Sequence, residues 1–383
     1  MMMARFTIGF RLRPKTACCW ILALYLVLLP GLCLHDHRYD LLPGGQRRVA
    51  EKAERLLQSK WDEHCSKWVG FEQGMYKKKL ALIVYSKDAG LGNKMKSWKY
   101  AFFLSLLLGR KFEIYFDVGF PIGELLQPNK YHWTPEESSR PTTWPVVPVY
   151  CSNLTDGTAF SNLPEKFVLQ LNKEAWKCDI PSVVQGSPHI SAQRLSIIAG
   201  LWTQKDCYFL YMHKFSQHVL SRLPEAFLDA KQKVSLHLRW GDKHFRRNFS
   251  AESIDTRLTP STVMKCFSPL RRASGSITRA SYLYLLTDVP QLTIRVLRRC
   301  LFAINSNIKS LRGVKALHTG RLTDNATESE LSFEYAFRDM AAIMIADHLI
   351  APARSTFSTM SCTLSFKAPV EKCTVLSQLL LGH

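Results

Sequence analysis

KVSLHLRWGDK, Lys233 to Lys243, sets an apolar run, Val234 to Leu238, directly against Arg239, Gly241 and Asp242. A short apolar run of this kind predicts a buried strand, and its end carries a cation, a turn and a carboxylate. Open α/β sheets bind ligands at the carboxyl ends of their strands. This stretch therefore predicts an α/β fold with an anionic ligand at one sheet edge.

The neighbouring segments repeat the pattern. Downstream, the polar and basic loop Arg239 to Arg257 leads to Thr259-Pro260, an N-cap threonine with proline at the first helical position. Ser281 to Leu286 (SYLYLL) predicts a strand ending in Thr287-Asp288, and Pro290 to Leu301 a helix. Val314 to Leu317 follows as a strand, Glu334 to Ala346 as a helix with an apolar stripe, and His348 to Ile350 as a short strand. Ala351 to Ser355 turns into a last helix from Thr356.

Upstream, Leu80 to Tyr85 (LALIVY) predicts a buried strand. It passes through Ser86 to Asn93 into a helix from Met95 to Leu108, capped by Gly109, and then a strand over Phe112 to Phe116. Strand, loop, helix and strand in this order imply a parallel sheet. Gly90, Gly92 and Asn93 at the helix start place backbone amides where an anion binds; the same residues also suit a tight turn with no ligand. Gly119 to Tyr150 is rich in proline and tryptophan and reads as long loops. Its Trp133 and Trp144 suit either loop packing or stacking on sugar rings. Phe167 to Leu171 and Leu195 to Leu201 continue this half, and Phe215 to Lys231, broken at Pro224, reads as a helical connection. The pattern is that of two doubly wound α/β halves meeting at a cleft.

The 383 residues carry a net charge of +20, which favours an acidic partner: nucleic acid, an anionic surface or a phosphorylated small molecule. The best-organised basic residues stand at predicted strand ends, which disfavours a nucleic-acid backbone and a simple polyanion-binding surface. Ala17 to Leu34 is free of charge and follows Arg5, Arg11, Arg13 and Lys15. That predicts a single-pass signal-anchor with a cytoplasmic tail over 1–16, a membrane span over 17–34 and the body on the far side. A cleaved signal peptide is the alternative, since Gly31 and Cys33 are small. Residues 35–78 read as a stem followed by an amphipathic helix from Val49 to Trp68. Asn153, Asn248 and Asn325 open Asn-x-Ser/Thr triplets and are glycosylation candidates in the secretory route. Of eleven cysteines, Cys65, Cys151, Cys178, Cys207, Cys266, Cys300, Cys362 and Cys373 lie beyond the anchor. They predict disulfides whose pairing spacing cannot give. No zinc-type CxxC pair occurs, and a structural zinc is not expected.

Four segments together resemble one family. HLRWGDK, 237 to 243, is similar to the HxRRxD stretch of the α1,6- and α1,2-fucosyltransferases and the bacterial nodulation fucosyltransferase. Gly90 to Phe116 resembles the family's GxGN-plus-helix segment. Ser281 to Asp288 resembles its strand ending in Ser/Thr-Asp, and Arg338 to Ser358 its helix, acidic strand and STFS turn. The segments occur in family order.

The resemblance implies a GT-B-like fold of two Rossmann-like domains, with 79–214 on the acceptor side and 215–383 binding the GDP-sugar. It implies fucose transfer from GDP-fucose to a glycan or glycoprotein acceptor, with inversion and without a metal or other cofactor, in a Golgi type II membrane protein. Arg239 matches the arginine that holds the donor's diphosphate, and His237 and Asp339 match positions associated with guanine. Ser355, Thr356 and Ser358 match the phosphate-binding turn, and Asp288 an acidic position at the donor rim. Trp240 stands where many members carry a second arginine, leaving Lys243, Arg246 or Arg247 to supply that charge. A proton acceptor for the acceptor hydroxyl is sought in Asp242 or Glu252, with His244 a third candidate. The Trp240 departure keeps open the alternative of a non-catalytic relative that binds glycan or nucleotide.

Overall fold

The computed structural model describes residues 42–65, 68, 78–85, 90–135, 141–149, 162–171, 180, 190–238, 281–287, 326–352, 356–364 and 373–376. By its contacts the chain divides into Met1–Gly45 and Gln46–His383, and both sheets lie in the second unit. Among the described residues the fold is mixed α/β, with two four-stranded parallel sheets.

Helix α1 (Gly44–His64) buries Val49, Ala50, Ala53, Leu57 and Trp61, one stripe of an otherwise polar helix. Strand β1 (Lys79–Tyr85) leads into α2 (Leu91–Leu108) and β2 (Lys111–Asp117). Helix α2 is apolar on nearly every side and is accordingly buried, with Trp98, Phe102 and Phe103 at 0% exposure. It starts at Leu91 rather than Met95, because Gly90 is the extended N-cap and its carbonyl already accepts from the amides of Asn93 and Lys94. It ends at Gly109, whose φ of 61° lies in the left-handed region that glycine tolerates. A Cβ there would meet the Arg194 guanidinium at 2.8 Å, which that flexible side chain can clear, so it is the conformation that demands glycine.

The proline-rich stretch is more ordered than its composition suggests. It contains a short 3-10 turn at Ile122–Glu124 and two strands, β3 (Leu126–Pro128) and β4 (Val146–Val149). Next come β5 (Lys166–Leu171), α3 (Ala192–Thr203), α4 (Tyr208–Met212) and β6 (His213–Phe215). The first sheet runs β2-β1-β5-β4, while β3 and β6 form a separate antiparallel pair. Pro148 lies in β4, at the sheet's edge, where a strand has no second neighbour needing the missing N–H. Trp133 is 1% exposed and donates Nε1–H to the Met212 carbonyl, so it serves packing rather than sugar stacking.

Two devices secure this half. A disulfide joins Cys65 at the end of α1 to Cys207 before α4, and Trp61 and Trp68 both pack on Tyr211 beside it. The buried Arg110 guanidinium donates to the carbonyls of Pro164 (2.6 Å), Glu165 (2.8 Å) and Leu163 (3.3 Å). It also lies 4.8 Å from the Phe167 ring centroid. One side chain thus ties the start of β2 to the entry of β5.

Helices α5 (Gln217–Ser221) and α6 (Glu225–Asp229) fill the expected helical connection, and Pro224 separates them as N-cap of the second. The second half holds β7 (Gln232–Leu238), β8 (Ser281–Thr287), α7 (Ala326–Ile345), β9 (His348–Pro352), α8 (Thr356–Thr363) and β10 (Cys373–Leu376). Its sheet runs β10-β9-β7-β8. The two halves share one core: α2 packs on α8, Phe120 on Phe333, and Phe215 on Phe337. The expected span over 17–34 lies outside the described residues, and so do the candidates Pro290 to Leu301 and Val314 to Leu317. Among the described residues, no helix is long and apolar enough to cross a membrane.

Candidate functional site

The register of the second sheet fixes what stands at its carboxyl edge. His237 pairs with Leu286, Leu238 with Thr287, and Leu236 with Ile350. The ends of β7, β8 and β9 therefore lie side by side, and α8 opens at Thr356 just past β9. This is the edge predicted from the opening stretch.

Alternation along the strands decides which side chains meet there. Ser235 donates its hydroxyl to the Ala342 carbonyl of α7 at 3.2 Å, so Ser235 and His237 share the face that α7 covers. Tyr284, opposite Ser235, is on the same face and donates its hydroxyl to Asp339 Oδ1 at 3.2 Å. His237 is 8% exposed and packs edge-on against Phe357 in the first turn of α8, centroids 5.6 Å apart. His237, Tyr284, Asp339 and Phe357 thus gather on one face at one edge, from four elements.

Asp339 is held closely. Arg338 donates Nε–H and Nη2–H to the same Oδ1, at 3.1 and 2.8 Å. Burial pushes the Asp339 carboxyl up, and the Arg338 charge with the bonds from Arg338 and Tyr284 offsets that only in part. Tyr284 is wholly buried, and burial with the neighbouring Asp339 charge pushes its hydroxyl well above the ordinary tyrosine range. It therefore remains a donor. Burial acts to lower Arg338, but the Asp339 charge outweighs it and keeps the guanidinium more firmly protonated.

One turn earlier on α7, Glu334 joins the second half to α5. His218 Nε2 and Arg222 Nε each stand 3.2 Å from its carboxylate oxygens. Burial raises Glu334, but the His218 hydrogen bond and the charges of His218, Arg222 and Arg338 hold it below the ordinary carboxylate range. This cluster braces the helix that carries Arg338 and Asp339.

Of the sequence-predicted site residues, the structure places His237 and Asp339 on the same side of the second sheet and Thr356 and Ser358 in the first turn of α8. Gly90, Gly92 and Asn93 open α2, which packs on α8. Arg239, Trp240, Asp242, Glu252, Asp288 and Ser355 lie outside the described residues, as do Asn153, Asn248 and Asn325. Tyr284, Arg338 and Phe357 were not singled out in the sequence. Their signals in the sequence are the tyrosines at 282 and 284 in a largely aliphatic strand and a charged Arg-Asp pair in the apolar stretch of a helix. Among the described residues, no group of three or more His, Cys, Asp or Glu stands ready to hold a metal.

Neither a protein-family model nor a curated protein matches this chain. Solved structures similar to it include a mutant of FUT1 from Arabidopsis thaliana in complex with GDP, at 12% identity, covering 84% of this chain and 76% of that one, with a TM-score of 0.48. Fucosyltransferase NodZ from Bradyrhizobium is 14% identical over 74% of this chain and 92% of its own, with a TM-score of 0.44. POFUT1 in complex with GDP-fucose is 12% identical over 80% of this chain and 98% of its own, with a TM-score of 0.42.

Proposed function

We propose that the protein is a fucosyltransferase that transfers fucose from GDP-fucose to a hydroxyl of a glycan or glycoprotein. The observation that carries this reading is the convergence of His237 and Asp339 on one face of the second sheet, beside the helix that opens at Thr356. These positions come from separate segments of the family-like pattern, and a nucleotide-sugar site needs them in one place.

In this reading the two α/β halves, 79–214 and 215–383, face one another in a GT-B-like arrangement, with the acceptor on the first and the donor on the second. Asp339 and His237 take the base, and Arg239 with the hydroxyls and amides of Ser355, Thr356 and Ser358 takes the diphosphate. Asp288 stands at the donor rim. The acceptor oxygen attacks the anomeric carbon from the face opposite GDP, inverting it. Its proton passes to Asp242 or Glu252, and the bond to the phosphate oxygen breaks with its electron pair on GDP. Cationic side chains and helix amides stabilise that leaving charge, the part a divalent metal plays elsewhere. The chain sits in the Golgi membrane through 17–34 with its body lumenal, where the Cys65–Cys207 bond and glycans at Asn153, Asn248 and Asn325 belong.

The test is binding of GDP and of guanosine to the full chain by calorimetry. Arg239→Ala weakens GDP by about tenfold or more, as loss of a charge-assisted bond does, and leaves guanosine nearly unchanged. A wild-type chain with no affinity for GDP or GDP-fucose contradicts the proposal.

A further inference from the structure

Asp339 shows an asymmetry that structural burial alone does not require. Every hydrogen bond it receives from a described residue falls on one oxygen: Arg338 Nε, Arg338 Nη2 and Tyr284 Oη all converge on Oδ1, and Oδ2 takes none of them. The clamp thus engages Oδ1 and leaves Oδ2 for a further donor. The residue is 9% exposed and lies on the face of the second sheet that also carries His237.

The clamp itself is unusual. Successive side chains on a helix point about 100° apart and do not ordinarily meet. Arg338 nonetheless folds back over its neighbour, with its guanidinium 4.7 Å from the centroid of the Tyr335 ring one turn behind. Tyr284 approaches from the sheet below and is 1% exposed. Two donors from one helix residue and one from the strand fix the carboxylate's rotation from two directions.

We infer that Arg338 and Tyr284 are positioning residues that hold the Asp339 carboxylate with Oδ2 presented to the N–H edge of a purine base. This rests on the donor reading above and adds to it the residues that set base selectivity. A carboxylate oxygen accepts and does not donate, so the site favours a base with N–H groups on its pairing edge, as guanine has at N1 and N2, over adenine, whose N1 is an acceptor. Loosening the clamp lets the carboxylate turn, and the selectivity falls before the fold does.

The experiment measures GDP, ADP and inorganic pyrophosphate binding to the full chain in detergent, for wild type, Tyr284→Phe and Arg338→Lys. Tyr284→Phe removes one oxygen and keeps the ring. It is expected to lower the GDP-over-ADP preference by about five- to twentyfold, the loss of one bond to a charged acceptor, with pyrophosphate unchanged. Arg338→Lys keeps the charge but not the fork and lowers the preference likewise; if it fails to fold, Tyr284→Phe decides. An unchanged preference in Tyr284→Phe, or an equal loss for all three ligands, overturns the inference. A wild-type chain with no preference for GDP over ADP overturns the donor reading itself.

Discussion

Replacing Arg110 by methionine tests how the first half is held together. Arg110 Nη1 donates to Pro164 O and Glu165 O at 2.6 and 2.8 Å, and Nη2 to Leu163 O at 3.3 Å. Glu165 O also accepts from the Lys79 amide at 2.9 Å, so it keeps a partner, while the carbonyls of Leu163 and Pro164 lose theirs. Two short charge-assisted bonds at about 1.5–3 kcal/mol each give a gross loss of about 3–6 kcal/mol. Burial works against the charge and lowers the Arg110 pKa, so removing it recovers part of that loss. Methionine retains most of the apolar contact with Phe167. The net expectation is about 2–4 kcal/mol, read as a fall in Tm of roughly 2–5 °C by calorimetry. Arg110→Lys, with one point charge in place of the fork, falls between wild type and Arg110→Met. Donor affinity stays unchanged in both, because Arg110 lies at the amino end of the first sheet. A change in Tm below about 1 °C for Arg110→Met refutes the argument that these carbonyls depend on it.

Gly109→Ala puts a Cβ at a left-handed φ, and thermal unfolding should show a loss of about 1–2 kcal/mol; a neutral result contradicts the reading. Cys65→Ser with Cys207→Ser opens a loop of 142 residues, for which the chain-entropy relation gives a loss of roughly 5 kcal/mol in urea titration. His213 is fully buried between Trp98, Trp133 and Phe209, and burial pushes it down to about 3. Its neutral form is stable in the fold, so stability is complete above the unfolded value near 6.5 and is lost as pH falls towards 3. Between pH 7 and 5 that amounts to about 2 kcal/mol, and His213→Phe should flatten the slope in denaturation measured across that range. Glu334, held low, adds its own loss only below the ordinary carboxylate range, so it does not confuse the interval.

Much of the scaffold is legible in local pattern. LALIVY and SYLYLL are strands because continuous apolar runs of that length suit sheets buried on both faces. Gly109 and Pro224 end their elements where backbone chemistry says they must. Strand β4 is not legible: Val146 and Val147 sit among four prolines between 135 and 148, and only its edge position makes Pro148 compatible with a strand. Strands β3 and β6 are three residues each and carry no period at all. Helix α7 starts at Ala326, before its apolar stripe, because Ser329 and Ser332 are buried by the surrounding fold rather than by their own polarity. At the candidate site, His237 and the opening of α8 were visible as a strand end and an N-cap. The bond from Tyr284 to Asp339 spans the sheet-to-helix packing, and no spacing in the chain announces it.

Fucose transfer itself is the most direct test of the account. The full chain is incubated with GDP-fucose labelled in the sugar and an array of glycan acceptors, in EDTA, and the products are read by mass and by the anomeric proton coupling. The account predicts release of GDP, label on at least one acceptor, and a configuration opposite to that of the donor, with EDTA without effect. Absence of transfer to every acceptor by a chain that binds GDP-fucose, or retention of configuration in the product, contradicts it.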